Sequence, residues 1–301
     1  MDSTEVVDLK SGKIFSMAPL GRRTFGATGG LLDGLPVICG GSNDKIHSIA
    51  KDQSKFLGQL SVRRNHAASV VLSNNTLWVT GGFDQSGNSI KTTEIVTKDG
   101  QTSQGPDLPL ALSSHAIVPL NSGAFILIGG NGNPYGVFEN SATHFYEKKG
   151  WRPGPNLKKG RDGHTAGVLT DRVSTIKYIV AVGGHGADSS LEYLEYPGSS
   201  EWMKGKPTHS SLDQLQLESH LCKYVLGTDL PKPLQSHGMV NYGTDLVVMG
   251  GYSSGSRSSS FYQLSVENGI FKWEKMKPEL KIPRSDFVAM TIPDHLVDTK
   301  Y

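Results

Sequence analysis

The chain is short of cysteine, of net charge and of long apolar runs, and each shortage closes off a class of protein. Cys39 and Cys222 are the only two thiols in 301 residues. Two thiols so far apart make no disulfide framework and read as a reduced compartment. The formal net charge is +2, with none of the large positive field that nucleic acid or an acidic membrane surface attracts. The longest apolar stretches, such as residues 124–128, fall far short of the roughly 20 residues a membrane span needs. Residues 1–5 show no basic-then-apolar leader. The expectation is a cytoplasmic protein without nucleic-acid or membrane partners. The one sequon noted, Asn74-Asn75-Thr76, would be unused there.

Chemical signatures are scarce as well. No G-x-G-x-x-G run leads into a helix, so the glycines cradle no phosphate, and no H-E-x-x-H metal motif occurs. Sialidase-type S-x-D-x-G-x-T-W boxes are missing, and nothing around Cys39 or Cys222 assembles the Cys–Tyr cross-link and ligand set of a copper oxidase. No catalytic residues, metal ligands or cofactor are expected.

Glycine is abundant instead, with 36 residues beside 15 prolines, the composition of many short strands joined by tight turns. The glycines are periodic. An apolar run ends in a Gly pair five times, at Gly40-Gly41, Gly81-Gly82, Gly129-Gly130, Gly183-Gly184 and Gly250-Gly251. The intervals are 41, 48, 54 and 67 residues, around the spacing of about 50 that marks kelch propellers. An aromatic or histidine opens another apolar run upstream of each pair: Phe25, His66, His115, His164 and His237. The 13–19 residues between marker and Gly pair hold one strand, a turn and a second strand. Two further strands follow each pair, giving a four-stranded unit A–B–C–D that must stack on its neighbours to bury its faces.

The two ends complement one another. Residues 4–7 and 16–20 read as strands C and D without A or B, and residues 285–290 read as strand A. Five full units plus one composite unit predict an all-β, six-bladed propeller, a single domain over residues 1–301, its closing blade built from both termini. Such closure removes exposed sheet edges. Residues 197–222 read as an insertion between the C and D strands of the fourth unit.

The Gly pairs, with Trp151 and Trp273 in last strands, resemble the Kelch motif along essentially the whole chain. That resemblance implies a protein-interaction module. Many Kelch propellers recognise substrates for cullin ubiquitin ligases and some bind actin, although no BTB or BACK segment is present here. The alternative it leaves open is a Kelch-fold enzyme acting on a sugar or small molecule in the axial funnel.

Two residue sets are candidates for function. His66, His115, His164 and His237 share a repeat position and invite a metal, but Phe25 and Phe287 fill the same slot and cannot ligate one. The slot is therefore read as structural. The second set follows from strand direction, which puts the B–C loops and D–A linkers on one face. The linkers bring Arg23, Arg64, Arg161 and Arg284 there; the B–C loops bring Ser42, Phe83, Asn131, His185 and Tyr252, with Arg257 further along. Guanidiniums interleaved with aromatic and polar side chains suit bidentate capture of carboxylates, so an acidic peptide segment of a partner protein is the expected ligand.

Overall fold

The structure is a computed structural model that describes residues 3–21, 23–120, 123–132, 140–148, 150–204 and 229–293. A hairpin of β1 (Thr4–Val7) and β2 (Ile14–Met17) comes first. Blade one follows as β3 (Ala27–Leu32), β4 (Leu35–Gly40), β5 (Lys45–Ile49) and β6 (Ser54–Gln59). Blade two is β7 (Ala68–Val71), β8 (Leu77–Thr80), β9 (Thr93–Val96) and β10 (Thr102–Gln104). Blade three is β11 (Ala116–Pro119), β12 (Phe125–Ile128), β13 (Thr143–Glu147) and β14 (Gly150–Pro153). Blade four is β15 (Thr165–Thr170), β16 (Lys177–Val182), β17 (Leu191–Tyr196) and β18 (Met203–Lys204). Blade five is β19 (Gly238–Tyr242), β20 (Asp245–Met249), β23 (Ser260–Glu267) and β24 (Ile270–Glu279), with a side hairpin of β21 (Tyr252–Ser253) and β22 (Ser256–Arg257).

Local chemistry places these strands. Asp33 and Gly34, at φ 48° and 79°, form the two-residue turn whose twist matches a hairpin, and β3 pairs with β4 around it. The second strands carry unbroken apolar runs rather than alternation. All four residues of β8 and of β12 are buried, as befits strands covered on both faces. Their side chains meet across blades: Leu32 and Val37 with Leu77 and Val79, Ile126 and Ile128 with Ile179 and Ala181, Val180 and Val182 with Leu246 and Val248.

The architecture is a β-propeller, but it has five four-stranded blades rather than the six anticipated. Between blades five and one lie the β1–β2 hairpin, which pairs only within itself, and residues 285–292, which enter no ladder. The described segments near the two ends do meet there, yet among the described residues no strand lies between them, so neither pairs with the other.

The insertion also sits elsewhere than expected. Residues 203–204 are the last strand of blade four, paired with Tyr193 and Glu192, so the connection from the third to the fourth strand is short. The remainder of the segment, 205–222, lies outside the described residues. Trp202, fully buried against Phe145, Leu157 and Leu194, fills the aromatic place beside that strand.

Candidate functional site

The first strand of each blade begins at the axis, and there the backbone closes on itself. His66 N–H donates to Gly26 O, Ser114 to His66, Gly163 to Ser114, Ser236 to Gly163, Asp286 to Ser236, and Gly26 to Asp286, at 2.7–3.0 Å. Six residues thus form an unbroken ring, all at φ between 51° and 64°. The ring corrects the register read from the sequence. Its next residues are Ala27, Ala67, His115, His164, His237 and Phe287, so only three histidines share the slot with Phe287. His66 stands one residue before its slot and Phe25 two residues before its own, and both turn to the mouth.

The three slot histidines are buried. A Cβ on Gly81, Gly129 or Gly183 would lie 2.9–3.0 Å from the rings of His115, His164 and His237 respectively. His115 Nε2 bonds Thr80 Oγ1 at 2.9 Å and His237 Nε2 bonds Thr165 Oγ1 at 2.6 Å. Burial pushes the His115 and His237 imidazoles down to about 3 and holds His164 well below its ordinary value. They are neutral wedges between blades. Among the described residues, no three His, Cys, Asp or Glu side chains are grouped to hold a metal.

The arginine rim dissolves on inspection. Arg64, Arg161 and Arg284 are 1%, 0% and 8% exposed and point into their blades. Arg64 Nε bonds Glu94 at 2.9 Å, while its NH1 bonds Gly81 O at 3.0 Å and Thr92 O at 2.7 Å. Arg161 repeats this with Glu192 at 2.6 Å, Gly183 O at 2.9 Å and Ser190 O at 3.1 Å. Arg284 binds Glu5 and, at 3.0 Å, Ser3 O. The same glutamates accept the linker amides, Ser61 N–H at 2.7 Å and Lys158 N–H at 2.6 Å. These three arginines are therefore internal latches, not ligand contacts. The reason is electrostatic: a carboxylate on the third strand stands within reach, and a buried guanidinium must be paired.

The rest of the predicted set does gather on one face. Phe83, Asn131, His185 and Tyr252 form bridges to the linker residues Asn65, Ser113, Asp162 and Gln235, so B–C loops and D–A linkers meet as strand direction requires. Ser42 Oγ lies 3.3 Å from Thr24 Oγ1 and 3.5 Å from Arg23 O. Arg23 and Arg257 are exposed, the latter 3.3 Å from Ser285 Oγ. What the sequence reading left out is the pairing of Phe25 with His66, whose rings stand edge to face at 6.2 Å. His66 in turn lies 6.3 Å from Phe83. Asp286 stands 3.9 Å from His66 Nδ1. Burial lowers the His66 pKa, and the Asp286 and Asp162 carboxylates oppose that shift.

Two features that resemble catalytic apparatus are not. Residues 251–255 spell G-x-S-x-G, but they lead into and around the turn of the β21–β22 hairpin, with none of the strand-to-helix elbow such a serine needs. Cys39 is buried, and burial pushes its thiol up to about 12, far from a reactive thiolate.

Radial four-stranded blades around an axial ring define a β-propeller, and its second strands end in Gly pairs of the kind the Kelch motif carries. The Kelch motif family matches residues 233–278, the stretch that holds blade five and its Gly250-Gly251 pair. No curated protein matches the chain by sequence. Among solved structures, that of YjhT superposes with a TM-score of 0.64 at 16% identity, covering 89% of this chain and 88% of that one. That likeness is one of fold.

Proposed function

We propose that this propeller is a non-catalytic protein-interaction module whose B–C/D–A loop face receives a segment of a partner protein. The observation that supports the reading best is Phe25, 52% exposed at the head of the Phe25–His66–Phe83 cluster. Arg23, Arg257 and the half-exposed Tyr252 share its face. Exposed aromatics beside arginines are the composition of binding hot spots. An acidic segment remains the favoured ligand, with Arg23 and Arg257 in place of the buried arginines as the groups that meet its carboxylates.

The axial funnel, where the small-molecule alternative would place its substrate, is narrow. It holds only about 140 Å³, whereas ligand sites run to about 300–1,000 Å³. Proximity labelling with the intact chain tests the proposal. Partners captured by the parent should be lost at least fivefold from Phe25→Ala/Arg257→Ala and kept by Lys98→Ala, a substitution in the turn between β9 and β10 on the opposite face. Equal capture by all three proteins rules this face out.

A further inference from the structure

The place between blades five and one is a blade with one strand missing. Arg284 latches Glu5 as Arg64 latches Glu94 and Arg161 latches Glu192, so β1 stands where β9 and β17 stand. Phe287 lies against Gly250 as His237 lies against Gly183, so residues 288–291 stand where the first strands of the other blades stand. β2 completes the outer edge. Among the described residues the second strand has no counterpart, and a pocket of about 800 Å³ lies in its place. Its walls include Val6, Val7, Val240, Met249, Phe261 and Met290. Among the described residues, no backbone bond reaches the far edge of β1 or residues 287–292.

A second observation specifies the residue that ends the missing strand. In the two complete latches the guanidinium NH1 donates both to the residue before the third strand and to the carbonyl of the first glycine of the pair, Gly81 or Gly183. Arg284 makes the equivalent bonds to Ser3 O and Ser3 Oγ. Its remaining described bond goes back to Ile282 O, and the glycine carbonyl has no equivalent.

We infer that this slot receives an extended apolar strand of four large residues leading into a Gly pair, donated by a polypeptide segment outside residues 1–301. It would pair with Thr4–Val7 on one side and residues 288–291 on the other, as β8 pairs with β9 and β7. The chain's own end fits poorly. Residues 295–301 read His-Leu-Val-Asp-Thr-Lys-Tyr, which would bury Asp298 and Lys300 where the other blades bury aliphatics, at high cost. A second copy offers no free strand of this kind, since its apolar second strands are held within its own blades.

The test uses the intact chain and a fluorescein-labelled nonapeptide copied from residues 244–252, Thr-Asp-Leu-Val-Val-Met-Gly-Gly-Tyr. The control peptide carries proline at its central valine, which removes a ladder donor. The expected result is saturable anisotropy for the first peptide and at least tenfold weaker binding for the second. Hydrogen exchange at residues 4–7 and 288–291 should slow only when the first peptide is present, and the melting temperature should rise. A Val6→Asp variant should lose the binding. Should it fail to fold, the exchange pattern of the parent still decides. Equal binding of both peptides, binding that leaves those amides unprotected, or no binding overturns the inference. So does protection of those amides without peptide, which would mean that the tail or a second copy already fills the slot.

Discussion

Three arginines that read as a binding rim turn out to hold the blades together, and the sequence carried the sign of it. Glutamate stands second in the third strand at Glu94, Glu192 and Glu5, each two residues after Thr92, Ser190 or Ser3. These are the blades whose linker carries Arg64, Arg161 or Arg284; blades three and five have Leu112 and Leu234 there, and no such glutamate. Position within a single repeat could not reveal this, because a guanidinium's direction depends on a carboxylate 30 or more residues away. A consequence follows for mutation. Arg161→Ala leaves Glu192 buried and short of its cation, so it should cost about 3–5 kcal/mol. Exposed Arg257→Ala should stay within about 0.5 kcal/mol. Urea denaturation of the two variants checks the contrast; similar midpoints would refute the latch.

The slot histidines make stability depend on pH. His115 and His237 fall to about 3 in the folded chain because burial disfavours their charged forms, against about 6.5 unfolded. Between those values the unfolded chain binds more protons, so stability is full above about pH 6.5 and drains as pH falls towards 3. Each histidine should contribute a slope of about 1.4 kcal/mol per pH unit over that range. Replacing both by Phe, the residue that Phe287 already supplies at the equivalent place, should flatten the profile. Denaturation midpoints measured from pH 7 to pH 4 will show whether it does.

Elements were the most legible scale. First strands, apolar second strands and the turns between them fell where the spacing from marker to Gly pair put them: β7 and β8 lie between His66 and the Gly81-Gly82 pair. The Gly pair, which the sequence already sets apart from phosphate loops, gets its reason from the structure. Geometry decides for packing. Gly183 sits at φ 62°, and a Cβ there would lie 2.5 Å from Leu234 O. Gly183→Ala should therefore combine backbone strain of about 1–3 kcal/mol with a clash against main chain that has no room to move. A drop in thermal midpoint well beyond that of Gly87→Ala, whose Cβ would meet nothing within 4 Å, is the expected readout. The short last strand of blade four escaped the reading for a different reason. Two residues, Met203 and Lys204, carry too little pattern to be recognised without their partner strand.

At the scale of the molecule, repeat counting anticipated that the ends would meet but not that they would meet incompletely. A count of Gly pairs registers second strands, and five pairs gave five finished blades. The composite place was inferred from first, third and fourth strands alone, and no sixth Gly pair marks a second strand for it. The tail still matters for the circle. Asp286 supplies two of the six axial bonds and Phe287 packs on Gly238 and Gly250. Ending the chain after Arg284 should lower the melting temperature and promote association through the uncovered side of blade five. Calorimetry with light scattering tests this, and a monomer of unchanged melting temperature would show the tail to be dispensable.

The axial ring behaves as a hoop. Every N–H in it points the same way around, so the six bonds form a circuit with a sense of rotation and no end. A hoop cannot widen at one place alone. Stretching any link loads the other five, and the diameter of the bore is fixed by the length of a hydrogen bond rather than by side chains. Motion of the blades is thereby pushed outward to their fourth strands, while the hub stays at constant gauge. A partner that grips the rim would tilt the blades around that hub without prising it open.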